Sequence, residues 1–173
     1  RRHDGNVRAI GNVIQSGAIG DVFHIELSEC AYRSPPNEWR SRKEISGGLF
    51  YDWGSHAIDW ALQLVPSKVV QVTGFSHKLV WNDVSNEDQT RALIRFENGT
   101  IADITQSNIA YATKPLWRIL GTAGAITDTG ANAIKGYIHQ LNGPPGGSFT
   151  LVTSAGEATV KYMESDWATY YVE

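Results

Sequence analysis

The stretch TRALIRFENGTIADITQSNI, residues 90–109, decides the fold of this 173-residue chain. Apolar and polar residues alternate over much of it, and Glu97-Asn98-Gly99 interrupts the pattern. Alternation with a period of two is typical of a strand buried on one face, and Asn-Gly favours the positive φ angles of a tight turn. The stretch therefore predicts a hairpin of two antiparallel strands, Thr90–Phe96 and Thr100–Ile109.

Further strand patterns lie on both sides of this hairpin. Val22–Ser28 alternates in the same way, and β-branched residues are dense from Val69 to Val80. The strands predicted after the hairpin are Leu116–Leu120, Ala125–Asp128, Ala133–His139, Phe149–Thr153 and Ala158–Tyr162. Antiparallel strands in such numbers commonly form a sheet with one face on the core and the other face open.

Two segments have helical spacing instead. The apolar residues of the first are Val7, Ile10, Val13 and Ile14, and Gly17 is placed to end that helix. The second includes Asp52–Trp60 and is stopped by Pro66, whereas Arg33–Ser46 is predicted to be an ordered loop. We expect an α+β fold in which helices pack on one face of an open, predominantly antiparallel β-sheet, in one domain over residues 1–173.

Composition excludes several classes of partner. The formal net charge of −3 gives no reason to expect nucleic acid or a membrane surface. No stretch approaches the roughly 20 apolar residues that span a bilayer. Cys30 is the single cysteine, so no internal disulfide can form. We expect a cytoplasmic protein.

The segment SGGLFYDWGSHAIDW, residues 46–60, carries the candidate chemistry. Asp52, His56 and Asp59 fall at i, i+4 and i+7, which is one stripe of a helix. The residues expected to anchor the opposite side are Ile58, Ala61, Leu62 and Val65. A carboxylate one turn before an imidazole can orient it and tune it for proton transfer near neutral pH.

Two other interpretations of this stripe remain open. An exposed Asp–His pair on a solvated face is worth only a few tenths of a kcal/mol, but Gly47-Gly48 and the nearby Trp39, Trp53 and Trp60 favour a site. Two carboxylates and an imidazole could also hold a divalent ion. The other histidines are scattered and no cysteine cluster supports them, so we expect no metal.

Several motifs together resemble the C-terminal domain of the Gfo/Idh/MocA family of NAD(P)-dependent oxidoreductases. They are Gly47-Gly48, Asp52-x-Gly54-x-His56-x-x-Asp59, Glu38-Trp39-Arg40 and Ile119-Leu-Gly-Thr-Ala-Gly-Ala-Ile126, and the resemblance covers nearly the whole chain. One departure is Ser46, which stands where the family often has the first of three glycines.

The resemblance implies roles for individual residues. His56 would transfer the proton, with Asp52 as its partner. Trp39 and Arg40 would lie near the bound dinucleotide. We also expect Tyr51 and Asp59 to contact the substrate.

The resemblance implies a function as well. The chain would be the substrate-binding and oligomerisation domain of a dehydrogenase that acts on a sugar, a polyol or a related hydroxy compound, and it would form a homo-oligomer through its sheet. No Gly-x-Gly-x-x-Gly follows a strand in this chain, so NAD or NADP would be held mainly by an N-terminal Rossmann domain. We expect the chain alone to be inactive. The alternatives are an NAD-dependent glycosidase of the same family and a non-catalytic assembly or sugar-binding module.

Overall fold

The computed structural model describes residues 3–128 and 147–163, which form a single sheet with helices on one side. The helices are α1 Gly5–Gln15, α2 Lys43–Ser46 and α3 Ser55–Leu64. The strands are β1 Val22–Cys30, β2 Val69–His77, β3 Gln89–Phe96, β4 Ile101–Ser107, β5 Trp117–Gly121, β6 Gly124–Thr127, β7 Gly147–Thr153 and β8 Gly156–Tyr162. A 3₁₀ turn covers Trp39–Ser41 and a π-helical turn covers Phe50–Gly54.

The sheet has eight strands in the described ranges, in the order β2-β3-β4-β1-β5-β6-β7-β8. Neighbouring strands are antiparallel except β1 and β4, which run parallel from His24 opposite Ile101 to Cys30 opposite Ser107. The predicted hairpin is present as β3 and β4, and Gly99 in its turn has a φ of 88°. The α+β fold with an open, predominantly antiparallel sheet is confirmed.

The main core lies between four neighbouring strands, β3, β4, β1 and β5, and the helices α1 and α3. Each of these strands contributes large apolar side chains that are almost fully buried: Ile25 and Leu27 from β1, Ile94 and Phe96 from β3, Ile104 from β4, Trp117 and Ile119 from β5. Burial of each aliphatic side chain stabilises the fold by about 1.5–3 kcal/mol. Strand β2 lies at the edge, and every residue in it is exposed.

The buried side of α3 differs from the expected one. Its buried residues are Ala57, Trp60, Ala61 and Leu64, whereas Leu62 is 45% exposed and Ile58 is half-buried. At 3.6 residues per turn, Ala57, Ala61 and Leu64 form one stripe, and Leu62 falls on its flank. The sequence interpretation placed the apolar stripe too far round the helix because Ile and Leu were weighted above the small Ala57.

The edge strand β2 also ends earlier than predicted. It stops at His77 instead of Val80, because the backbone N–H groups of Leu79 and Val80 donate to the Asp88 carboxylate at 2.6 and 2.7 Å. The segment expected to be a loop over Arg33–Ser46 contains the 3₁₀ turn and α2. The strand expected over Ala133–His139 lies outside the described residues.

Asp88 is a buried carboxylate at this edge, and both of its oxygens accept hydrogen bonds. Besides the two amides, Lys78 Nζ lies 3.0 Å from its Oδ1, and the residue is fully buried. Burial alone would raise the pKa of Asp88, but the Val80 and Leu79 amides and the Lys78 ammonium outweigh it and hold the pKa below its usual value. The ionised form therefore stabilises the fold.

Replacement of this carboxylate should be costly. We expect Asp88→Ala to lower the free energy of unfolding by about 3 kcal/mol, because the amides of Leu79 and Val80 lose a charged acceptor. The exposed Asp83 in the same loop is the matched control, and Asp83→Ala should stay within about 0.5 kcal/mol of wild type. Urea unfolding measures both changes, and equal values would contradict the assignment.

The lowered pKa of Asp88 makes its contribution to stability depend on pH. The contribution of Asp88 should be fully present above the unfolded-state pKa of about 4, and it should be lost as the pH falls through the lower folded-state value. The difference in stability between wild type and Asp88→Ala should therefore shrink on acidification, and a difference that grows would contradict this account.

Candidate functional site

The candidate site begins at the π-helical turn that leads into α3. Asp52 lies in this turn and His56 lies in the first turn of α3, so the pair spans a change in helical pitch. A π-helical turn inside a helix is rare and often marks a functional position.

A carboxylate from a distant part of the chain holds the start of this turn. Glu87 Oε2 accepts a hydrogen bond from the Leu49 amide at 3.1 Å, and Glu87 Oε1 pairs with Lys43 Nζ. A Cβ on Gly48, whose φ is 117°, would lie 2.6 Å from Glu87 Oε2. Glycine is required at position 48 because the carboxylate and the backbone approach so closely.

Asn86 completes the support from the other side. Its amide Nδ2 donates to the Arg40 carbonyl at 2.6 Å, and its Oδ1 accepts from the Ser46 hydroxyl at 3.2 Å. The Ser46 hydroxyl also accepts from the Gly48 amide at 3.2 Å. We call Asn86 and Glu87 the brace, because together they tie the loop that carries Arg40 to the turn that carries Asp52.

Glu87 of the brace is charged at neutral pH. Burial on its own would raise the pKa of Glu87, but the hydrogen bonds from Lys43 and from the Leu49 amide outweigh burial and hold the pKa below its usual value. Glu87 is therefore ionised, and its bonds to Lys43 and Leu49 are charge-assisted.

A cavity of about 610 Å³ opens beneath the π-helical turn. Asp52 and Trp53 form part of its wall, and Arg40 faces them from the 3₁₀ turn. The ends of β1 and β4 and the segments after them supply the rest, including Glu29, Cys30, Arg33, Gln106, Asn108 and Lys114. The volume suits a ligand of small-molecule size.

Arg40 contacts both Asp52, expected to take part in proton transfer, and Trp39, expected to lie near the dinucleotide. Its Nε lies 3.9 Å from Asp52 Oδ2, and its guanidinium carbon lies 4.9 Å from the centre of the Trp39 ring. Trp39 is 54% exposed, and the Asp52 side chain is 33% exposed. The structure thus joins Trp39, Arg40 and Asp52 at one end of the cavity, with an aromatic face and a guanidinium presented outward.

His56 lies beside this cavity between two tryptophan rings. The imidazole centre is 5.3 Å from the Trp53 ring and 6.5 Å from the Trp60 ring, and the residue is half-buried. His56 is not among the residues that line the cavity, whereas Asp52 and Trp53 are.

The two expected substrate contacts also lie outside the cavity wall. Tyr51 is 77% exposed and packs against Gly47, where a Cβ would be 3.0 Å from the tyrosine Cγ. Asp59 Oδ2 accepts a hydrogen bond from Gln63 at 3.1 Å, one turn further along α3. Neither residue therefore belongs to the cavity wall.

Sequence reasoning missed the brace and the cavity residues Glu29 and Gln106. Asn86 and Glu87 belong to the polar run Ser85-Asn-Glu-Asp88, which stands directly before β3. A run of four polar residues directly before a predicted strand was the available signal. It could not be assigned because its partners are about 40 residues away.

Two features are absent from the described ranges. No three histidine, cysteine, aspartate or glutamate side chains in residues 3–128 and 147–163 are grouped so as to hold a metal ion. In the same ranges, no helix has the length and apolar character that crossing a membrane requires.

Comparison with known proteins identifies the family. The model of the GFO/IDH/MocA C-terminal domain matches residues 7–127, which is more than half of the chain. The chain belongs to the Gfo/Idh/MocA family. The match includes the brace, Asp52 and His56.

Individual relatives agree with this assignment. The inositol 2-dehydrogenase of Rhizobium meliloti is 28% identical over 172 residues, which cover 95% of this chain and 51% of that protein. The uncharacterized oxidoreductase YrbE of Bacillus subtilis is 30% identical over 129 residues, which cover 72% of this chain and 37% of that protein. The chain thus spans at most about half the length of these relatives.

A solved structure shows the same fold. The crystal structure of an NAD-binding protein from Listeria innocua superposes with a TM-score of 0.74 and 24% identity. The superposition covers 97% of this chain and 48% of that one.

The close approach of Glu87 to Gly48 can be tested by substitution. We expect Gly48→Ala to destabilise the fold by about 3 kcal/mol, since it adds left-handed strain and displaces a bonded carboxylate. Gly99→Ala is the matched control, because Gly99 also has a positive φ but no atom within 4 Å of an added Cβ. It should cost only about 1–2 kcal/mol. Equal losses in thermal unfolding would show that the brace contributes nothing.

Proposed function

We propose that this chain is the substrate-binding domain of an NAD(P)-dependent oxidoreductase that acts on a sugar, a polyol or a related hydroxy compound. The observation that carries the proposal is the π-helical turn, which puts Asp52 on the wall of a small-molecule cavity and leads directly to a half-buried His56. Family membership supports the oxidoreductase class, and the inositol 2-dehydrogenase relative supports a polyol as substrate.

His56 is the group that accepts the proton of a substrate hydroxyl. An imidazole has an unperturbed pKa near 6.5, so it can take up and release a proton at neutral pH. The flanking Trp53 and Trp60 rings restrict its position. On the adjacent cavity wall, Arg40 Nε lies 3.9 Å from Asp52 Oδ2, so an ion pair stands next to the turn that carries His56.

The residues at the outer end of the cavity fit a dinucleotide. Trp39 presents an exposed aromatic face, and Arg40 presents a guanidinium suited to phosphate or carboxamide oxygens. A bound nicotinamide supplies the hydride acceptor for oxidation of the same substrate carbon. In this proposal Tyr51 and Asp59 contact the substrate.

The histidine assignment is tested by kinetics in the full-length oxidoreductase that contains this chain. We expect His56→Ala to lower kcat by about 10²–10⁴, which is the usual contribution of a positioned acid or base. Cofactor affinity should change little. Asp52→Asn should also lower kcat, because it removes the charge beside the imidazole.

The control is the same substitution at an exposed histidine on β2, His77→Ala, which should keep wild-type turnover. Melting temperatures show whether His56→Ala is folded. Normal turnover by folded His56→Ala would contradict the assignment. Release of an aglycone without net oxidation would favour a glycosidase, and absence of any turnover by the wild type would favour an assembly module.

We also propose that the open sheet contributes to self-association. The edge strand β2 carries exposed apolar side chains on both of its faces: Val72 is opposite the buried Ile94, on the helix-covered side, and Phe75 is opposite the exposed Arg91, on the open side. The helices cover the central strands on the other side, and a large exposed apolar patch commonly marks an interface.

Sedimentation velocity tests this surface. We expect Phe75→Glu to shift the wild-type oligomer towards monomer, since the substitution places a charge in a dry contact. Leu62→Glu is the control, because Leu62 is an exposed apolar residue on α3, away from the open sheet face. A wild type that stays monomeric at high micromolar concentration would contradict the proposal.

A further inference from the structure

A polar row crosses three neighbouring strands at one level, at the edge of the cavity. In β4, the helix-covered face carries Ala102, Ile104 and then Gln106. Gln106 is opposite Glu29 of β1 and opposite Thr90 of β3. The apolar core therefore gives way to polar side chains at the same register in all three strands.

Two of these three side chains face the cavity. Glu29 and Gln106 line it, and Thr90 does not. Gln106 is only 2% exposed, so its amide must obtain its hydrogen bonds from the protein or from a bound ligand.

The orientation of the Gln106 amide follows from its contact with Glu29. Gln106 Nε2 donates to Glu29 Oε2 at 3.1 Å. An ionised carboxylate only accepts hydrogen bonds, so the NH₂ group must face Glu29 and the carbonyl oxygen must face away from it.

The carbonyl oxygen, Gln106 Oε1, is buried and accepts no hydrogen bond from any residue in the described ranges. An unsatisfied buried amide oxygen is unfavourable in a folded protein. A donor that enters the cavity can supply the missing hydrogen bond, and a hydroxyl group is the donor that polyols and sugars offer.

We propose that Gln106, oriented by Glu29, binds one hydroxyl group of the substrate through Oε1 and so helps to select among polyols. This inference rests on the proposed function, because it assigns the hydroxyl to the molecule that His56 deprotonates. Gln106 is a specificity-determining residue and takes no part in proton transfer.

The test compares substrates that differ by one hydroxyl in the full-length oxidoreductase. The probes are myo-inositol and D-glucose, each with its series of monodeoxy analogues. For wild type, one analogue in a series should show about tenfold lower kcat/KM from loss of this hydrogen bond.

Gln106→Met keeps the length of the side chain and removes the acceptor. It should raise KM about tenfold for the complete polyol with little change in kcat, and it should leave the sensitive analogue unaffected. A merely structural role would not depend on a single hydroxyl of the substrate.

Thr90→Val is the matched control. Thr90 Oγ1 is the neighbouring buried hydroxyl, and it too has no hydrogen-bond partner in the described ranges. Because Thr90 lies outside the cavity wall, its loss should leave KM and the analogue pattern at wild-type values.

The outcomes distinguish a failure of the Gln106 role from a failure of the proposed function. If the wild type turns over the probes, two results would overturn the role of Gln106 and leave the proposed function standing. One is an equal KM in wild type and Gln106→Met, and the other is an equal loss of kcat/KM for all analogues. No oxidation of any probe by wild type would overturn both.

Discussion

The contact on which the site depends is the hydrogen bond from the Leu49 amide to the Glu87 carboxylate. It joins the start of the π-helical turn to the segment that enters β3, and Lys43 binds the same carboxylate from α2. Only a glycine at position 48 leaves room for it. The contact therefore ties the turn that carries Asp52 to the sheet.

The anchoring of that segment explains why the contact can persist. Asp88, the next residue, is buried and bound by two backbone amides and Lys78. Asn86, the residue before, bonds to Ser46 and to the Arg40 carbonyl. Three consecutive side chains thus connect the edge of the sheet, the loop before α2 and the start of α3, which makes the position of the site a property of the sheet.

Local patterns were enough to predict the hairpin and the first helix. The alternation around Asn98-Gly99 and the helical spacing of Val7 to Ile14 depend only on neighbouring residues, and both elements are present. The parallel pairing of β1 with β4 was not predicted, because it joins residues more than 70 positions apart. The extension of β2 to Val80 was wrong for the same reason, since Asp88 captures the amides that would have continued the strand.

Some residues of the candidate site could likewise be predicted from the sequence, and others could not. Asp52, His56 and Arg40 stood out because their residue types and spacing carry chemistry locally. Glu87, Asn86 and Gln106 did not, because each has meaning only through a partner supplied by another element. The π-helical turn had no recognisable local signal either.

The most direct test of the account is a crystal structure of the full-length protein with NAD⁺ and myo-inositol bound. The account predicts the polyol in the cavity beneath the π-helical turn, with one hydroxyl about 2.6–3.2 Å from an imidazole nitrogen of His56. A second hydroxyl should bond to Gln106 Oε1. A polyol bound elsewhere, or one that leaves His56 without a substrate contact, would contradict it.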